Sequence, residues 1–256
     1  MEWTSDAIIL GTRKHSEADV VLEVMTPDHG RHAGLVRGGR SRRQQPTLQP
    51  GNEVHVTWRA RLADHLGTFS VEPVHLRAAD LMTSALGLHG IQHLAALLRL
   101  LPERDPHPGL YDALKVVINH LDRFDVAGPL LVRFEVALLE ELGFGLDLTS
   151  CAATGTTEDL AYVSPKSARA VSREAGAPYH EKMLPLPPFL TDGQRQPGSE
   201  ITWQDLQGGF CLTAFFLARN VYEPCNIRNG TMRESLISAL EKSYRAHTPW
   251  NFAGGN

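Results

Sequence analysis

The chain has 256 residues, enough for one large domain or two modest ones, each with its own core. Its composition, with 42% hydrophobic and 21% charged residues, is that of an ordinary folded protein, and a formal net charge of -4 does not by itself indicate a nucleic-acid-binding protein. Three widely spaced cysteines exclude a disulfide framework, and the lack of a secretion signal or a long apolar run predicts a cytoplasmic protein with no membrane partner.

Short strands are predicted over the first 77 or so residues, where compact apolar runs alternate with turn residues. Pro27 and Gly30 suit a tight turn that joins the second and third strands as a hairpin. The five predicted strands are Ala7–Thr12, Val20–Met25, Arg31–Arg37, Asn52–Arg59 and Gly67–Val74. Five short strands favour a small closed barrel, so we predict an OB-type β-barrel domain over residues 1–78.

A basic loop is predicted between the third and fourth strands. No acidic residue occurs from His29 to Asn52, and this stretch carries Arg31, Arg37, Arg40, Arg42 and Arg43. Arginine makes paired hydrogen bonds to phosphate, and OB barrels bind single strands along basic grooves. The alternative is a loop whose arginines only interact with solvent, but so many cations without an acid favour phosphate binding.

Two further arginines, Arg59 and Arg61, flank Trp58 at the end of the fourth strand. An exposed Trp58 would stack on a base, whereas a buried one would fill the barrel. Because Trp58 continues the alternation of Val54 and Val56, we predict that it is buried. The predicted nucleic-acid-binding residues are Arg31, Arg37, Arg40, Arg42, Arg43, Arg59 and Arg61.

From about residue 79 the apolar residues recur at helical spacing, so the class is α+β with a mostly α-helical second domain over 79–247. The predicted helices are Asp80–Leu101, Leu110–Phe124, Pro129–Leu142, Ile201–Asn220 and Thr231–Ala246, with Pro129 in a first turn. Residues 147–180 are predicted to be an irregular insertion, and residues 248–256 a flexible tail.

Motifs for catalysis are weak. His89 and His93 share a helix face and would suit a metal-dependent hydrolase, but the motif lacks a glutamate and a third ligand. The chain has no phosphate-binding P-loop. We therefore predict that the protein is not an enzyme and has no catalytic residues, with the hydrolase as the alternative that elemental analysis would reveal.

Several segments in this order resemble the RecO family of bacterial recombination mediators. They are the Thr26–Gly30 turn, the Val36–Arg40 segment, Leu48–Pro50, Phe134–Cys151 and Asp159–Pro165. The resemblance covers most of the chain and implies an OB domain followed by a helical domain with a zinc-ribbon-like loop.

The resemblance also implies a four-cysteine zinc site, at positions that are Cys151, Thr154, Ser172 and Ala175 in this chain. One thiolate cannot hold a structural zinc ion, which needs about four ligands. We therefore predict no zinc and no other cofactor, with the loop held by packing around Tyr162 and Val163.

The function implied by the resemblance is mediation of DNA repair and recombination. Such a protein binds single- and double-stranded DNA, anneals complementary strands, and helps RecA load onto DNA coated with single-strand binding protein. Its implied partners are the C-terminal tail of single-strand binding protein, RecR and, indirectly, RecA, in the nucleoid of a bacterial cytoplasm. The alternative function is an OB-fold RNA-binding factor in ribosome maturation or translation.

Overall fold

A computed structural model of the chain describes residues 1–191, 200–227 and 231–247. Its first part is a closed five-stranded barrel with the strand order β1-β2-β3-β5-β4. The strands are β1 (Glu2–Lys14), β2 (Val20–Thr26), β3 (Gly30–Val36), β4 (Glu53–Arg59) and β5 (Thr68–His75). Every pair is antiparallel except β3 and β5, which meet in parallel at Leu35 and Thr68. This architecture confirms the predicted OB-type barrel.

Strand β1 is longer than predicted and closes the barrel. Its first half pairs with β4 and its second half pairs with β2, with a register shift between Ile9 and Gly11. The sequence prediction began this strand at Ala7 because residues 2–6 are mostly polar. In the structure Glu2, Thr4 and Asp6 are exposed, whereas Trp3 is half-buried and Ser5 is buried, an alternation that is typical of a strand.

The barrel core consists of inward-facing apolar side chains from all five strands, with Leu48 from the β3–β4 connection. Trp58 is 2% exposed and belongs to this core, as its place in the alternation predicted. Its indole Nε1 donates a hydrogen bond to the Leu66 carbonyl, 3.0 Å away, so the buried polar atom is satisfied.

The helices are α1 (Ala78–Leu81), α2 (Ala85–Leu98), α3 (Pro108–Ile118), α4 (Phe124–Glu141), α5 (Arg173–Gly176), α6 (Trp203–Leu217) and α7 (Thr231–His247). The single helix predicted over Asp80–Leu101 is two helices, because Ser84 has extended backbone and its hydroxyl caps α2 by accepting from the Gly87 amide. The prediction for Pro129 was wrong, since α4 begins at Phe124 and Pro129 lies inside it.

The predicted irregular insertion contains a second, small sheet. Strands β6 (Leu160–Val163), β7 (Ala170–Ser172) and β8 (Leu184–Pro185) pair in the order β7-β6-β8. Val163 is fully buried, and the ring of Tyr162 packs against Gly176, in agreement with their predicted role as anchors. The strands are only two to four residues long, too short for a clear alternation in the sequence.

The described chain divides into two compact units. The first comprises Met1–Asp122 and Met232–Ala239, and the second the remaining residues from Arg123 onward. Strands give way to helices near residue 78, as predicted, but the first compact unit extends past that point. Two contacts tie helix α3 to the barrel unit: Lys115 forms an ion pair with Glu53 of β4, and Asn119, just after the helix, accepts a hydrogen bond from Arg77 at 2.6 Å.

The predicted flexible tail, residues 248–256, lies outside the described residues. Within the described ranges, none of the helices combines the length and the apolar character that crossing a membrane requires.

Candidate nucleic-acid interface

Three basic segments converge at one end of the barrel. Lys14, at the end of β1, pairs with Val20, which pairs in turn with Val36, so Lys14 lies two strand spacings, about 10 Å, from the start of the basic loop. Thr68 of β5 pairs with both Leu35 of β3 and Arg59 of β4, so Arg59 also lies two strand spacings from the start of the basic loop, at the same end of the barrel. These segments lie at least 16 positions apart in the sequence, and the barrel closure brings them together.

The basic segment, defined here as residues 37–43, has an ordered backbone. The Gly38 amide donates to the Asp19 carboxylate at 2.9 Å, and the Arg40 amide donates to the Ala18 carbonyl at 3.0 Å. Gly38 has a φ of +65°, a conformation that glycine adopts at little cost. The connection continues as successive turns that insert Leu48 into the barrel core. The arginines therefore project from a fixed support.

The side chains of Arg37, Arg40, Arg42 and Arg43 are all exposed. Arg37, Arg42 and Arg43 make no ion pair with any residue that the structure describes. Arg40 donates to the backbone carbonyls of Ser16 and Glu17, at 3.3 and 2.7 Å, and so ties the segment to the β1–β2 loop. Three guanidinium groups thus face solvent with their donors available for phosphate.

Arg31 occupies a different environment from the other predicted residues. Its side chain is 12% exposed, and its guanidinium pairs with Glu23 at 2.8 Å and with Glu103 at 3.2 Å. It also donates to the Leu101 carbonyl at 3.1 Å. These contacts hold β2 and β3 to the segment after α2 and engage the guanidinium of Arg31. We therefore exclude Arg31 from the candidate interface.

Arg59 and Arg61 lie at the start of the β4–β5 loop. Arg59 pairs with Glu2 at 2.7 Å, and this contact raises the pKa of Arg59 and lowers that of Glu2. Both side chains are more than half exposed, so the pair is weak and a phosphate can compete for the guanidinium. Arg61 is exposed and is not part of an ion pair within the described ranges.

The structure adds two cations that the sequence analysis missed. Arg13 and Lys14 are exposed at the end of β1, beside the basic segment. Glu17 and Asp19 follow closely in the chain and hide the basic character of this stretch. Within the described ranges neither Arg13 nor Lys14 forms an ion pair, so the two cations contribute to the surface.

Three of the four positions implied as zinc ligands, Cys151, Thr154 and Ser172, lie together, but the chemistry of the set does not fit zinc. The Cys151 sulfur accepts a hydrogen bond from the Ser172 amide at 3.2 Å, and Thr154 also bonds to it. Burial raises the pKa of this thiol, but the hydrogen bonds from Ser172 and Thr154 outweigh burial and bring it to about 6. Ala175 offers no ligand atom, so a single thiolate remains where about four ligands are required.

The histidines of the hydrolase alternative do not form a metal site in the structure. His93 is 3% exposed on the buried face of α2, and His89 lies one turn earlier. Across the residues described, no group of three or more His, Cys, Asp or Glu side chains is placed to hold a metal ion.

Comparison with known proteins covers almost the whole chain. The family models for the Recombination protein O N terminal and C terminal domains match residues 1–77 and 86–226. A DNA repair protein RecO from Mesorhizobium japonicum is 59% identical over 244 residues, covering 95% of each chain. The DNA repair protein RecO of Chelativorans sp. is 57% identical over 243 residues, covering 95% of this chain and 97% of the relative. That of Sinorhizobium medicae is 57% identical over 245 residues, covering 96% and 97%.

Proposed function

This chain belongs to the RecO family of DNA repair and recombination proteins, and we propose that it mediates these processes by binding and annealing DNA strands without catalysing a covalent change. The observation that supports this proposal is the basic end of the barrel. There, Arg13, Lys14 and the basic segment present exposed cations on a fixed backbone. The matches to both RecO domains favour DNA repair over the RNA-binding alternative.

Annealing requires two polyanions to approach each other. Guanidinium and ammonium groups at the barrel end neutralise phosphates on a bound strand, which lowers its repulsion of a complementary strand. Phosphate contacts carry no sequence information, so binding should be independent of base sequence. Both single- and double-stranded DNA offer the phosphates that these groups recognise.

The protein partners follow from family membership. We propose that the chain binds the C-terminal tail of single-strand binding protein, acts together with RecR, and so helps RecA load onto coated single strands. The acidic, hydrophobic tail needs an apolar pocket beside a cation, and we place it on the helical domain. We further propose that the protein does this work without zinc or another cofactor.

The experiment that tests this function is strand annealing, on naked DNA and on DNA coated with single-strand binding protein. We expect the variant with Arg37, Arg40, Arg42 and Arg43 changed to alanine to anneal naked strands at least tenfold more slowly than the unmodified protein. The reason is that four cations leave the barrel end together, and three of them, Arg37, Arg42 and Arg43, have donors available for phosphate. Filter binding to single-stranded DNA and to structured RNA, run in parallel, tests the alternative function.

A matched control changes four exposed arginines of the second unit to alanine, namely Arg123, Arg169, Arg173 and Arg245. This variant loses the same formal charge but keeps the barrel surface, so its annealing of naked strands should be nearly normal. Unchanged annealing by the barrel variant, equal loss in both variants, or a preference for RNA would contradict the proposal.

A further inference from the structure

The β4–β5 loop, residues 60–67, presents two leucines to solvent at the basic end of the barrel. Leu62 is 52% exposed and Leu66 is 36% exposed. They lie on either side of a turn in which the His65 amide donates to the Leu62 carbonyl at 3.3 Å. Exposed leucines are unremarkable when scattered singly, but two on one short loop form an apolar spot that has no partner within the barrel core.

This loop is held in shape by contacts with three other parts of the first unit. The Ala60 amide donates to the Met1 carbonyl at 3.0 Å, and Trp58 donates to the Leu66 carbonyl at 3.0 Å. The guanidinium of Arg104 donates to the carbonyls of Ala63 and His65. Because these hydrogen bonds fix the loop backbone, the two leucines hold defined positions. Binding of a ligand would therefore cost little conformational entropy in the loop.

The positive charges around the two leucines indicate which class of ligand this surface would bind. Arg59 precedes the loop, Arg61 lies within it next to Leu62, and the basic segment occupies the same end of the barrel. A ligand for this surface must combine a row of negative charges with accessible apolar faces. Single-stranded DNA has this combination, whereas the base faces of a duplex are stacked inside it.

Building on the proposed function, we propose that Leu62 and Leu66 form a base-contacting spot that makes the barrel bind single-stranded DNA through its bases as well as its phosphates. The leucines pack against base faces while Arg59 and Arg61 hold the adjoining phosphates. Contact with the faces leaves the pairing edges of the bases free. A strand held in this way remains open to its complement, which is what annealing requires.

The test compares two oligonucleotides of equal length, one of deoxythymidines and one of abasic sites, which share phosphates but differ in bases. The variant is Leu62→Ser with Leu66→Ser, and the control is Met82→Ser with Val116→Ser, which replaces two exposed apolar residues elsewhere in the first unit. Dissociation constants for both oligonucleotides are measured by fluorescence anisotropy at one salt concentration.

We expect the unmodified protein and the control to bind the thymidine strand about tenfold more tightly than the abasic strand, and the leucine variant to lose most of this ratio. Affinity for the abasic strand and for duplex DNA should be unchanged. If the ratio of the two affinities were the same in the leucine variant and the control, the inference would be wrong. The loop would then contact a protein or no ligand at all. Failure of the proposed function would look different, since the unmodified protein would then bind neither oligonucleotide.

Discussion

At the scale of single residues, Glu53 is the buried acid that joins the barrel to helix α3. It accepts hydrogen bonds from Arg77, at 2.9 Å, and from Lys115, and the side chains of Glu53 and Arg77 are each 7% exposed. A charge left unpaired in such a place is costly, because water cannot replace the lost partner. Neither residue stood out in the sequence, where each is one charged side chain among many.

We expect Glu53→Gln to lower the free energy of unfolding by about 3–5 kcal/mol, because it leaves the Arg77 guanidinium buried without its counter-ion. Urea denaturation at neutral pH measures the change. The matched control is Glu2→Gln, which breaks the exposed pair with Arg59 and should change the free energy of unfolding little, because solvent screens that pair. Equal effects of the two substitutions would show that burial of the Glu53 pair does not govern its contribution.

His32 is a buried imidazole within an aromatic cluster. It is 3% exposed and lies edge-on to Trp58 and Phe69, with ring centroids 5.0 and 5.9 Å away. Burial lowers the pKa of His32 from 6.5 to about 4, against a smaller upward effect of its hydrogen bond to the Ala33 carbonyl. Folding therefore opposes protonation of this ring.

This shift predicts a pH dependence with a definite sign. Above pH 6.5 the His32 ring is neutral in both the folded and the unfolded state, so its ionisation does not affect the free energy of unfolding. Between pH 6.5 and 4 the unfolded chain takes up a proton that the folded protein does not, so stability should fall by about 3 kcal/mol across this window. Unfolding free energies measured at several pH values should lose this component in His32→Phe and keep it in His15→Phe, a change at an exposed position. A pH profile identical in all three proteins would contradict the shifted pKa.

At the scale of elements, the loop around Cys151 is held by hydrogen bonds to strand β7, from the Ala152 amide to the Ala170 carbonyl and from the Ser172 amide to the Cys151 sulfur. Nearby in the small sheet, Val163 is fully buried and the ring of Tyr162 packs against Gly176. The sequence shows that three of the four implied cysteine positions are occupied by Thr154, Ser172 and Ala175. It did not predict strands β6 and β7, since hydrogen bonding between short segments leaves little trace in composition.

We expect the unmodified protein, purified without chelators, to contain no stoichiometric zinc. Restoring the ligands by changing Thr154, Ser172 and Ala175 to cysteine should create a four-thiolate site that binds about one zinc ion per chain. Inductively coupled plasma mass spectrometry measures both. Stoichiometric zinc in the unmodified protein, or none in the triple variant, would show that the geometry of this loop has been misjudged.

Helix boundaries illustrate what the sequence could not provide. Periodicity identified the helical stretches, but Ser84 breaks the first of them through its side-chain cap. Helix α4 continues through Pro129 although proline removes one backbone donor and favours a helix start. Residues on both sides of Pro129 are buried, and the free energy gained by this burial outweighs the lost backbone hydrogen bond. Such a gain depends on tertiary contacts, which sequence periodicity does not reveal.

At the scale of the whole molecule, the net charge of -4 conceals a concentrated basic surface. The basic segment is evident in the sequence because its arginines lie in one uninterrupted run. Arg13 and Lys14 are not, since their proximity to that run depends on the pairing of β1, β2 and β3. Arg31 was predicted to bind nucleic acid because the sequence does not distinguish an exposed arginine from one paired with Glu23 across the hairpin.

This uneven charge predicts a steep dependence of DNA binding on salt. We expect Arg37→Ala, Arg42→Ala and Arg43→Ala together to reduce the slope of log affinity for single-stranded DNA against log salt concentration by about 2, because each phosphate contact contributes about 0.7. Arg31→Ala should leave the slope unchanged, because that guanidinium is engaged by Glu23 and Glu103. Titrations at four salt concentrations would provide the slopes, and an Arg31 effect as large as that of the triple variant would refute the assignment.

The order of the chain in the two compact units has a consequence for biosynthesis. The first unit is composed of residues 1–122 together with 232–239, and Leu236 within the later stretch is fully buried. A ribosome delivers the barrel early, yet the unit to which it belongs stays unfinished until more than a hundred further residues have been translated. During that interval the contacts that bury Leu236 cannot form, and incomplete apolar packing of this kind makes a nascent chain prone to aggregation.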